Sequence, residues 1–219
     1  MLKDLYSEIT GFIKGKTIDA IIPSILFVSL NSIFGLVIGI IGSLVFLIGL
    51  ILLRIYQKRD IKYGLVGLVM LIIASGLSLL TNNPNTYFLP DLITNVLIVL
   101  AIIISFVLRK PFAAYASHLT RAWPLEWYWR YDIKPAYLEV SIIWFIFFTF
   151  KSVIQIVNLF GSSIDSSFIN LLLGFPFTLI VMSISYIYGI LRLKQLKGPS
   201  VEEFVQNKEK PFKGQTKGF

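Results

Sequence analysis

All but one of the 20 Lys and Arg residues in this chain fall in breaks between apolar runs, and every such break can lie on one side of a membrane. The exception, Lys151, stands inside an apolar run. Runs long enough to cross about 30 Å of hydrocarbon alternate with short polar turns, and basic loops mark the cytoplasmic face. The pattern predicts an all-α polytopic membrane bundle.

A chain of 219 residues that is 56% hydrophobic and 15% charged is too apolar for a soluble domain of this size. Its net charge of +8 borders the apolar spans, where anionic lipid headgroups attract it, so membrane lipids rather than nucleic acid are the expected partners. There is no cysteine, which excludes disulfides, thiolate metal sites and cysteine nucleophiles. His118 is the sole histidine, so no zinc or di-iron centre and no other cofactor is expected.

Leu2, Leu5, Tyr6, Ile9, Phe12 and Ile13 recur at helical spacing opposite Lys3, Asp4, Ser7 and Glu8. Residues 1–17 therefore read as an amphipathic helix lying in the cytoplasmic interface. Asp4, Glu8, Lys14 and Lys16 interrupt this stretch, which does not fit a signal peptide. Residues 18–198 read as the membrane domain and residues 199–219 as a polar, basic, solvated tail. In that tail Ser200 and Glu203 have capping-box spacing.

Within the membrane domain the run from Ile18 to Leu53 is just long enough for two spans with a turn at Asn31, Ser32 and Gly35. Tyr63–Thr81 goes out to NNPNTYFLPD, and Leu92–Leu108 returns. After the loop 109–135, Ala136–Asn158 goes out to GSSIDSS and Phe168–Ile190 comes back. Six transmembrane helices in three hairpins result, with both termini cytoplasmic. Four crossings plus a re-entrant first hairpin fits the same loop charges. Leu53-Arg54, Leu108-Arg109 and Leu191-Arg192 end the three hairpins. These steps fit three copies of one unit, and equally fit the positive-inside rule alone.

The loop RKPFAAYASHLTRAWPLEWYWR, the TYFLP before the fourth span and the hairpin layout around them resemble an uncharacterised multi-pass family, domain of unknown function three-one-five-nine. That family is itself distantly similar to intracellular septation protein A. The likeness covers roughly residues 18–193 and is most specific at WPLEWYWR. It implies a helical inner-membrane protein of prokaryotic type, without a mechanism.

Lys151 is the first candidate for chemistry, because a charge inside a span costs about 2.5–3.5 kcal/mol at the helix centre. Gln155 and Asn158 follow on the same face, making a polar stripe that suits a substrate or ion site. Snorkelling of the ammonium to the outer headgroups is the plain alternative. Glu139 lies about 18 Å from Lys151 along the axis by helical rise. Like Asp19 near the start of the first span, it reads either as interfacial or as a partner for a loop base.

In the cytoplasmic loop, Trp127, Trp129 and their aromatic neighbours alternate with Arg121 and Arg130. Such a segment reads as an anchoring belt or as a phosphate or headgroup pocket, guanidinium offering paired donors. His118 with Glu126 or Asp132 is the one acid–base pair available, and no nucleophile accompanies it. An enzyme is therefore not expected. Gly35, Gly39 and Ser43 form a small-residue face fit for close helix packing, including a homodimer. Pro23 and Pro176 are placed to kink the first and sixth spans.

The reading that results is an inner-membrane protein that binds or transports a small anionic solute or lipid-linked phosphate. The alternative is a non-transporting scaffold for cell-envelope or division proteins. Substrate, coupling ion, direction and oligomer number do not follow from these residues.

Overall fold

The computed structural model describes residues 18–58, 61–160, 164–215 and 218–219. The expected interfacial helix over 1–17 and the Asp19 side chain lie outside the described residues. Among the described residues the chain is helical: α1 (Ile18–Phe34), α2 (Leu36–Tyr56), α3 (Lys62–Thr81), a 3-10 turn (Pro84–Phe88), α4 (Leu89–Val107), α5 (Phe112–Arg121), α6 (Leu125–Tyr128), α7 (Lys134–Leu159), α8 (Ile164–Leu173), α9 (Phe175–Leu196) and α10 (Val201–Val205).

Among the described residues, five stretches are long and apolar enough to cross a membrane: Leu36–Tyr56, Gly64–Thr81, Pro84–Val107, Lys134–Leu159 and Ser166–Leu196. Their outward faces bear this out. On α2, Ile41, Val45, Ile48 and Leu52 recur at helical spacing and are exposed, where a water-soluble protein would place polar groups. The first expected span is shorter. α1 has 17 residues, about 25 Å at the helical rise, because its turn falls at Gly35 and leaves no further apolar residues.

The last expected span is also built differently from a kinked helix. Its helical run is interrupted at Gly174 alone, whose N–H donates to the carbonyls of Asn170 and Leu171. Pro176 then sits in the first turn of α9, where its missing N–H costs no helical bond.

The chain divides into two compact units, and the division falls within α4, α7 and α9. The first runs to Thr94 and adds Ser152–Phe177. Here α1 and α2 are joined by Gly35 alone, at φ 84° and ψ 173°, a backbone region essentially restricted to glycine. The two helices then pack closely. A Cβ at Gly39 would lie 3.0 Å from both the Asn31 nitrogen and the Phe27 carbonyl oxygen. Of the residues expected to face a second copy, Gly39 thus meets α1 of its own chain, Ser43 is buried, and Gly35 has open space beside it. Phe27, Leu47, Leu71 and Tyr87 form the core of this unit, with the Phe27 and Tyr87 rings stacked at 3.9 Å.

Gly35→Ala is expected to destabilise this unit by about 1–3 kcal/mol, the cost of forcing a side chain into that backbone region. Gly49→Ala is helical and has open space around a new Cβ, so it is expected to be neutral or to stabilise by up to about 1 kcal/mol. Unfolding of both variants in mixed detergent micelles checks the contrast. Equal stability of the two would remove the strain argument.

The second unit comprises Asn95–Lys151 and Thr178–Phe219. Ile102, Phe147 and Phe148 form one apolar cluster, close to which Trp144 Nε1 donates to Ser185 Oγ at 2.9 Å. A second cluster gathers Ala114, Trp127, Tyr128, Tyr137 and Leu193. The tail closes over it: Trp127 Nε1 donates to the Pro199 carbonyl at 3.0 Å, and the Phe219 ring stacks on Tyr137 at 4.2 Å. The tail is therefore folded onto its unit, where the sequence pattern reads as a solvated end. The apolar anchors are single, widely spaced residues that give no periodic signal.

Candidate functional site

In the first unit the polar residues around the turn that follows α3 converge into one network. Asn82, in the left-handed region at φ 48°, ends α3. The Asn83 side chain then accepts from the Asn85 N–H at 2.9 Å, an Asx turn that starts the 3-10 segment with Pro84 at its head. Asn83 Nδ2 donates to the Leu159 carbonyl at 2.9 Å, which ties the turn to the end of α7.

Asn85 is completely buried and is the hub. Its Oδ1 accepts from Ser167 Oγ at 2.9 Å and from Asn170 Nδ2 at 3.5 Å, while its Nδ2 donates to Ser166 Oγ at 3.2 Å. Asn158 Nδ2 donates to Asn170 Oδ1 at 2.9 Å. One turn earlier on α7, Gln155 Nε2 donates to the Asp91 carboxylate at 2.8 Å. Each amide thus has a protein acceptor, as burial demands.

Asp91 takes part without having been singled out from the sequence. Its signal was an acid in the first turn of an apolar span, which the turn-rich context NNPNTYFLPD masked. Lys151, on the stretch of α7 that belongs to the second unit, is 2% exposed. That degree of enclosure leaves no extended stem along a lipid-facing surface. Ser152 and Gln155 are buried as well, so the predicted polar stripe of α7 is its inward face.

In the second unit Glu139 meets Arg192 in a two-pronged pair, with Nε to Oε2 at 2.8 Å and Nη2 to Oε1 at 2.9 Å. Tyr188 adds its hydroxyl to Oε2 at 2.6 Å. This clamp ties α7 to α9.

The aromatic loop residues are placed in two ways. Trp127 and Tyr128 are fully enclosed, and Tyr128 donates to Ser117 Oγ at 3.1 Å; burial pushes its phenol up from the ordinary value. They form core, while Trp129 is half-buried with the Lys110 ammonium 5.5 Å above its ring. Arg121 lies over Trp123 and donates through Nε to the Phe219 carbonyl at 3.0 Å. Arg130 grips Asp132 with Nε and Nη2 at 2.9 and 2.8 Å. That hydrogen-bonded carboxylate raises the guanidinium further above its ordinary value. His118 Nδ1 lies 2.6 Å from the Trp123 carbonyl. The structure brings His118 together with the backbone and Asp132 together with Arg130, not the two with each other.

Glu203 organises the tail. Its carboxylate accepts from the N–H groups of Lys213 at 2.8 Å, Ser200 at 3.0 Å and Gly214 at 3.2 Å. Ser200 Oγ completes the expected capping box. The Lys213 N–H first, then the others, hold the Glu203 carboxyl down at about 2, from an ordinary 4.5. A carboxyl lowered by folding contributes stability that is complete above the unfolded value and lost as pH falls through the folded one.

The docked tail is therefore expected to hold fully above pH 4.5 and to loosen between that value and about 2. Hydrogen exchange at the Lys213 and Gly214 amides, corrected for intrinsic rates, checks this. Protection should fall from pH 6 to pH 3 and should already be low at pH 6 in Glu203→Gln. Protection unchanged at pH 3 would contradict it.

Among the described residues no group of three or more His, Asp or Glu side chains is placed to hold a metal ion. No curated protein and no solved structure matches the chain. A family model covers it from residue 11 to residue 195, a stretch that takes in the turn with Asn85, the buried aromatic loop and Lys151. A match over that much of the sequence settles the relationship: the chain belongs to the family described as protein of unknown function, DUF3159.

Proposed function

We propose that this membrane protein crosses the bilayer six times with both termini cytoplasmic, and that it binds and moves a small anionic solute or a lipid-linked phosphate. The observation that carries the reading is Lys151, a cation buried within an apolar span. An ammonium in hydrocarbon is costly, and chains keep one where it meets a ligand, an ion or a counter-charge. Lys151 is the residue that would receive the anion. Gln155 and Asn158 follow on the same helix, where Asp91 and Asn170 hold them.

The scaffold reading would use the glycine faces and the aromatic loop, of which Gly39 packs against its own α1, Ser43 is buried and Trp127 and Tyr128 are core, while Gly35 has open space beside it. Anion exchange is the test. Proteoliposomes loaded with inorganic phosphate or glycerol 3-phosphate are expected to exchange labelled substrate, and Lys151→Met vesicles are not. A stable protein partner together with exchange that is absent from the parent would favour the scaffold.

A further inference from the structure

The tail builds a basic cleft that the sequence spacing does not reveal. Residues 207–215 wrap around Glu203, whose carboxylate fixes the Lys213 and Gly214 backbone, while Gln215 Oε1 accepts from the Val201 N–H at 3.3 Å. Arg130 is held between the Phe204 and Phe212 rings, 5.9 Å from each. The wrapped segment thereby faces the last turns of α9 and encloses an open cleft of about 790 Å³.

Lys194, Lys197, Lys210 and Lys213 line it, together with the rings of Tyr131 and Phe212. The Lys210 ammonium donates to the Tyr131 hydroxyl at 3.4 Å. Asp132 is the one acidic residue on the wall, and both its oxygens are taken by Arg130. Among the described residues the wall thus carries four lysines and a single carboxylate, which Arg130 already engages. The volume lies inside the range of about 300–1,000 Å³ typical of small-molecule sites, which is roomy for a bare ion.

We infer that this cleft binds an organic phosphate, the four lysines supplying charge to the phosphate and the two rings covering its carbon portion. The inference does not rest on the Lys151 reading, because it uses none of the same residues. The phosphate has two sources: a soluble phosphomonoester or the headgroup of a phospholipid. Ordinary attraction of exposed lysines to anionic lipid would not need the cleft. It would depend on charge alone.

Glu203 separates the two. Glu203→Ala removes a negative charge, so simple attraction predicts equal or tighter binding. A built cleft predicts weaker binding, because Lys213 and its neighbours lose their anchor.

The experiment uses the full chain in phosphatidylcholine nanodiscs, titrated with glycerol 3-phosphate in one arm and enriched with phosphatidic acid in the other. The readout is bound ligand by native mass spectrometry. Removing two lysines in Lys210→Gln/Lys213→Gln, or in Lys194→Gln/Lys197→Gln, is expected to weaken binding roughly thirtyfold, at about 1 kcal/mol per surface lysine. Glu203→Ala is expected to weaken it as well, whereas the control Lys58→Gln/Lys134→Gln, lying outside the cleft, is not. Saturable binding in the first arm assigns a soluble ligand and in the second a lipid headgroup, and both support the cleft. No saturable binding by the parent in either arm, or parent-like binding by Glu203→Ala, would overturn it. Unchanged anion exchange in the same variants would show that the Lys151 site is separate.

Discussion

Asn85→Ala is expected to lower the unfolding free energy by about 2–4 kcal/mol. Hydrogen bonds between membrane helices average only about 0.6 kcal/mol each. Removing Asn85, however, takes the acceptor from Ser167 and Asn170 and the donor from Ser166, all of which are buried. Leaving these groups orphaned adds a desolvation cost of about 1–3 kcal/mol. Thr94→Ala is the control: its hydroxyl bonds the Pro90 carbonyl at an exposed position, so a change within about 0.5 kcal/mol is expected. Equilibrium unfolding in mixed micelles measures both, and a parent-like Asn85→Ala would show that the network is not a cooperative clasp.

The second large effect is on function. Lys151→Met is expected to weaken anion binding or exchange by about 10–150-fold, corresponding to a charge-assisted hydrogen bond of about 1.5–3 kcal/mol. Lys151→Arg keeps the charge but presents a planar fork in place of a compact ammonium, so partial activity is expected. If the lysine were structural only, Met and Arg would change stability together and leave affinity per folded molecule untouched. Measuring affinity at matched folded fraction, by size-exclusion profile and tryptophan fluorescence, separates these outcomes.

Much of the membrane architecture was legible because hydrophobic length is a direct physical requirement. The spans ending at Thr81, Val107 and Leu159 follow from apolar runs bounded by bases or turn residues. The first hairpin was legible as a hairpin, yet its length depended on where the backbone reverses. Gly35 decides that through its positive φ, and Asn31 and Ser32 were equally plausible turn residues on composition. Pro176 pointed to a kink, whereas the helical run is interrupted at Gly174 near it.

The polar sites were half legible. Lys151, Gln155 and Asn158 announced themselves as polar groups in an apolar run, and their inward face follows from one helical period. Their partners did not: Asp91 and Asn85 sit in a turn where polar residues are ordinary, and only the fold brings them to α7 and α8. Arg121 and Arg130 stood out as phosphate ligands by type, but Phe219 and Asp132 engage them. Asp132 lies just two residues from Arg130, so that pairing was within reach of the sequence. The four lysines of the cleft come from two segments joined by the turn around Glu203, a long-range arrangement with no periodic trace.

The central claim is that Lys151 receives an anion, and native mass spectrometry of the protein released from nanodiscs of its own membrane tests it most directly. The account predicts a stoichiometric anionic ligand on the parent chain that is lost in Lys151→Met and retained in Lys210→Gln/Lys213→Gln. A parent chain that carries only bulk lipid, or that loses no ligand in Lys151→Met, would contradict it.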